Sequence, residues 1–126
     1  MANYKEDDDT VSYESVAFFE KLLSGHSHVN GFTKLGHREY DVKRDYGDTI
    51  RVWLTGKYLF SETDYYELRR SNGNINCIIP SSLWNRYTPG AKERALQDEV
   101  GLFSMGEFAG ALNWTQFWKY VKKKRD

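Results

Sequence analysis

The sequence predicts a mixed α/β sheet flanked by helices, and three observations predict it. Two runs of alternating apolar and polar residues, 38–44 and 49–57, flank the tight-turn segment "DYGD" and so fold back as an antiparallel hairpin. Two later runs, "INCIIP" and "VGLFSM", are short and nearly continuously apolar, as in strands covered on both faces. Helical stretches precede each of these runs, and a strand–helix–strand order demands a parallel crossover.

The elements follow in order. Residues 1–10 are polar and acidic, with "KEDDD" among them, and are expected to form a loose tail ahead of a single domain over residues 11–126. In residues 12–24, Val16, Phe19, Leu22 and Leu23 keep helical spacing, and Gly25 supplies a stop. A short strand is expected near residues 29–35, then the hairpin. Within "IRVWLTGKY" (residues 50–58), Ile50, Val52 and Leu54 face a core, while Arg51, Trp53, Thr55 and Lys57 share the other face.

Ser61 with Asp64 three residues on is close to a capping box, and Phe60 is placed to staple against Tyr65, so a helix begins there and "NGN" at 72–74 stops it. Thr88 as N-cap with Pro89 in the first helical position starts the next helix. "GEFAGALN" forms a short helix, and Trp114, Phe117, Trp118 and Val121 fall on one face of a last one. That face either packs on the body or, left exposed, makes a homodimer.

Composition narrows the function. At 126 residues the chain can bury a core without disulfides. An aromatic content of 16 % rules out a wholly disordered chain. Lys and Arg number 18 against 18 Asp and Glu, which argues against a dedicated histone-like nucleic-acid binder. Cys77 reads as a small buried hydrophobe, and with no signal segment a reducing, cytoplasmic setting is expected. No run approaches the ~18 apolar residues of a membrane span. The closing "KKKRD" is most simply a solvated end. His26, His28 and His37 sit in a glycine-containing loop region without a fourth ligand, so they are read as solvated and no zinc is proposed. "LTGK" lacks the upstream glycine of a phosphate loop.

The segment "INCIIPSSLWNRYTPGAKERALQDEVGLFSMGEFAGAL" resembles the back half of Mrr-type restriction-endonuclease-like domains: apolar strand, small polar loop, "A-x-E-x-A" helix, a strand around a glycine, short helix. The preceding helix, hairpin, helix and strand fit the core of the same superfamily, so the resemblance covers about residues 12–112. It implies a restriction-endonuclease-like mixed β-sheet flanked by helices and Mg²⁺-dependent hydrolysis of DNA phosphodiesters. In such domains one hairpin strand gives an Asp and the next gives Glu-x-Lys or Gln-x-Lys. Carboxylates hold the ion, and the ammonium steadies water or developing charge.

Residue by residue, Asp41 falls on the Asp position, Lys57 on the Lys position, and Glu14 is the candidate helix acid. Asp41 and Glu14 would hold Mg²⁺. Thr55 stands where Glu or Gln is required, so the motif is degenerate. A carboxylate facing Thr55 would mark a rewired site; its absence, a nuclease scaffold put to another use. The acids Asp45, Asp48, Glu62 and Asp64 are read as turn and cap residues. In "SSLWNRY", Trp84 could stack on a base and Arg86 touch phosphate, with Arg51 a further nucleic-acid contact; Trp84 packing over the next helix fits equally well. The alternative function is a catalytically inactive nuclease-fold protein that binds DNA or a protein, for example in a host-virus conflict or a mobile element.

Overall fold

The computed structural model describes residues 9–82 and 85–122. Helix α1 (Tyr13–Gly25) starts where Ser12 Oγ accepts from the Ser15 N–H at 3.1 Å, and it ends at the predicted glycine. Its apolar spacing buries Val16, Phe19 and Leu23 on one side. Strands β1 (Val29–Lys34), β2 (Glu39–Arg44) and β3 (Thr49–Thr55) follow as an antiparallel meander. Gly47, in the β2–β3 turn, has φ +94°, a region that side chains resist.

The short β4 (Leu59–Phe60) leads into α2 (Glu62–Ser71). That helix opens on the anticipated capping box, with Asp64 N–H donating to Ser61 Oγ at 3.2 Å and Ser61 N–H donating to Asp64 Oδ2 at 2.8 Å. Strand β5 (Cys77–Pro80) returns parallel to β3. After β6 (Arg86–Tyr87), which pairs parallel with β4 in a separate ribbon, α3 (Pro89–Gln97) starts at Thr88 with Pro89 in its first turn. It delivers the chain to β7 (Gly101–Leu102), parallel to β5, and α4 (Met105–Ala111) closes the order. The main sheet runs β1-β2-β3-β5-β7, mixed and flanked by helices as the sequence predicts. No helix among the described residues is long and apolar enough to cross a membrane.

Alternation along the central strands divides the apolar residues between two cores. Tyr40, Val42, Ile50, Val52, Leu54, Cys77 and Ile79 meet α1 and α4 through Phe19 and Phe108. Ile78 and Leu102 point the other way, into a second core with Phe60, Tyr65, Ala91 and Ala95 from α2 and α3. Burial pushes the Cys77 thiol up and leaves it inert.

The final aromatic helix does not form. Among the described residues beyond α4 the chain makes a single 3-10 turn, Phe117–Lys119; Phe117 is buried there, while Trp114 and Val121 on either side are 49 % and 72 % exposed. The cause is Arg44, whose fully buried guanidinium collects the carbonyls of Leu112 (3.1 Å), Trp114 (2.6 Å) and Thr115 (3.0 Å) and also holds Asp48 at 2.7 Å. Carbonyls facing one guanidinium cannot follow a helix axis.

Two expectations follow. Phe19→Ala opens a cavity in the first core and should cost ~3–5 kcal/mol in urea denaturation, whereas its exposed neighbour, Phe18→Ala, should stay within ~0.5 kcal/mol of wild type. Glu20 is held below the usual carboxylate range by hydrogen bonds from Lys34 (2.9 Å) and from the Tyr40 hydroxyl (2.7 Å). A lowered folded pKa stabilises above the unfolded value, about 4.3, and that contribution is lost as pH falls through the folded one. The Tm advantage of wild type over Glu20→Gln should therefore shrink on acidification below about pH 4.3. An advantage independent of pH would contradict this linkage.

Candidate functional site

The strand register separates the residues that the resemblance would bring to one ion. Asp41 on β2 stands directly across from Arg51 on β3, not from Thr55. At ~3.3 Å per residue, the four steps from Arg51 to Thr55 span about 13 Å. Arg51 grips the Asp41 carboxylate with two bonds, Nε to Oδ1 at 2.5 Å and Nη2 to Oδ2 at 3.1 Å, and lies 3.7 Å from Glu39. Asp41 raises the Arg51 pKa further above its ordinary value. Lys57 pairs instead with Asp64, at 3.4 Å. Glu14 is exposed in the first turn of α1, where the helix dipole accounts for an acid. Asp41 therefore does not fit as a ligand of an ion shared with Lys57. Among the described residues no three His, Cys, Asp or Glu side chains gather as a metal-holding group.

A carboxylate does face Thr55, and it comes from outside the hairpin. Asp9 Oδ1 accepts from the Thr55 hydroxyl at 3.0 Å, from the Gly56 N–H and from Arg38 Nη2. Thr55 is therefore fully buried rather than part of an open polar face, and β3 ends at residue 55, not at the predicted 57, because the Gly56 amide turns to a side chain. Asp9 belongs to the ordered fold, which corrects the expectation of a loose tail through residue 10; residues 1–8 lie outside the described residues. The Thr10 backbone passes so close over Gly56 that a Cβ there would fall on it.

Beside this contact lies a cleft of about 170 Å³, walled by Asp9, Trp53, Lys57, Asp64, Glu67 and Leu68 among others. Asp64 caps α2 and pairs with Lys57 at once. The Arg38 guanidinium stacks 4.7 Å from the Trp53 ring, and its Nε donates to Leu54 O at 2.9 Å. Trp53 Nε1 is buried without an acceptor among the described residues.

Other anticipated contacts are placed as follows. Arg51 is engaged by Asp41 and Glu39. Arg86 is exposed on β6, and Trp84 lies outside the described residues. The turn acids Asp45 and Asp48 hold His28 (3.0 Å) and Arg44 (2.7 Å). The histidines are tethered rather than simply solvated: His26 Nε2 bonds Ala109 O at 2.9 Å and His37 Nε2 bonds Val11 O at 2.8 Å.

Asp9, Arg38 and Gly56 carry this end of the hairpin, and none was singled out from the sequence. Asp9 is one acid in an acidic run, and its partners are 29 to 47 residues away, so no local pattern marks it. Comparison with family models, with curated proteins and with solved structures returned no match.

The Asp41–Arg51 pair is 23 % and 30 % exposed on its side chains, which makes it a structural ion pair of modest strength. A double-mutant cycle of Asp41→Asn and Arg51→Met in urea should return a coupling of about 0.5–1 kcal/mol. A coupling of zero would mean that the two side chains do not pair in solution.

Proposed function

We propose that this chain is a restriction-endonuclease-like domain used as a protein-binding module rather than as a phosphodiesterase. One observation carries the reading: the two hairpin residues that a nuclease would aim at a phosphodiester are engaged by other neighbours, Asp41 by Arg51 and Lys57 by Asp64. Affinity for DNA rests on cations free to replace counterions. Here Arg51 is neutralised by two carboxylates, and Lys and Arg are matched 18 to 18 by Asp and Glu. The order of elements and the meander joined to parallel strands support the nuclease-like scaffold.

The competing reading is metal-dependent DNA cleavage by Asp41, Lys57 and Glu14. Purified protein incubated with supercoiled plasmid and Mg²⁺ or Mn²⁺ should leave it intact, and at low salt it should not retard duplex DNA. Nicking by the wild type that disappears in both Asp41→Ala and Lys57→Ala would overturn the binding-module reading in favour of the nuclease.

A further inference from the structure

Lys92 on α3 turns inward, toward the carboxyl end of the parallel strands β5 and β7, the edge at which α/β sheets hold their ligands. Its Nζ donates to the carbonyl of Leu102, the last residue of β7, at 2.7 Å. It lies 4.0 Å from the centre of the Phe103 ring and 5.7 Å from that of Tyr87. We propose that Lys92 is a nucleophilic amine, a site that binds small aldehydes covalently as imines.

The surroundings favour the uncharged amine. Phe103 is buried and Tyr87 partly so, and their ring faces offset only part of the hydration that an ammonium loses between them. A free carboxylate would stabilise the charge, but the neighbouring acid, Glu107 on α4, is committed elsewhere. Its Oε1 accepts from the Tyr87 hydroxyl at 2.8 Å and from the Ser104 N–H at 2.9 Å. Lys92 therefore bonds a neutral carbonyl instead of an acid. Desolvation holds its pKa below the ordinary lysine value, outweighing the opposite pull of Glu107 and, from β5, of Cys77. Only the unprotonated amine has a lone pair to give, which is how an apolar setting activates a lysine.

The amine is placed to meet a reactant. Lys92, Tyr87, Ser104 and Glu107 are each partly exposed, so the cluster reaches the surface. In the reaction the lone pair forms the C–N bond as the carbonyl π pair moves to oxygen. Both nitrogen protons then leave with that oxygen as water, and a C=N bond remains. No oxidant or reductant takes part.

The experiment incubates wild-type protein at about pH 7 with propanal and cyanoborohydride, which reduces each imine to a stable propylamine, and follows the modified peptides over time by mass spectrometry. Lys92 should be propylated at least about 10-fold faster than the exposed Lys21 and Lys43. In protein unfolded by urea the three should react alike, which would tie the preference to the fold. Labelling of Lys92 no faster than that of Lys21 and Lys43 in the folded protein would overturn the proposal and leave a structural lysine fixed on Leu102 O. A preference that persists in urea would equally overturn it, since the folded surroundings would then not be its cause. Plasmid nicking bears on the binding-module reading alone, so the two ideas fail separately.

Discussion

Strand β3 is the constraint on which the rest of this fold depends. It pairs antiparallel with β2 on one side and parallel with β5 on the other, so it joins the hairpin half of the sheet to the crossover half. Its strict alternation assigns Ile50, Val52 and Leu54 to the core under α1 and α4, and turns Arg51 and Trp53 toward the α2 side. A one-residue slip would exchange those faces and place a guanidinium in the first core. The same pairing decides the fate of the charged residues. By fixing Arg51 across from Asp41, it joins them in an ion pair well short of Thr55 and Lys57.

Where β3 stops, control passes from backbone pairing to side chains distant in sequence. Gly56 donates to Asp9 rather than to a strand, and Thr55 is buried by the same carboxylate. A β-branched polar residue at full burial requires a partner for its hydroxyl, and Asp9 satisfies it together with a guanidinium and an amide. The arrangement explains how a threonine is accommodated at this buried position. A carboxylate is present, but it arrives from the N-terminal segment and is committed to three donors.

Arg44 does for the C-terminal segment what Asp9 does for the N-terminal one. Its buried guanidinium spends its donors on Asp48 and on the carbonyls of Leu112, Trp114 and Thr115, so the desolvated charge is fully hydrogen-bonded. Those carbonyls are thereby withdrawn from helix formation, and the aromatic residues that follow are divided. Phe117 enters the core, and Trp114 remains half exposed. In both segments a single ion reaching across the chain overrides local periodicity.

Local chemistry determined most of the architecture. The caps at Ser61 and Thr88, the stop at Gly25, the turn at Gly47 and the apolar alternation of β3 all act within a few residues, so they are legible in order along the chain and suffice for a mixed sheet flanked by helices. Tertiary structure alone decided the site. Register placed Asp41 against Arg51, Lys57 met the cap residue Asp64, and Asp9 crossed 46 residues to reach Thr55. The physical reason is range: propensity, capping and periodicity are set by neighbours along the chain, whereas the partner of a charged side chain is whichever group the folded chain brings within hydrogen-bond distance.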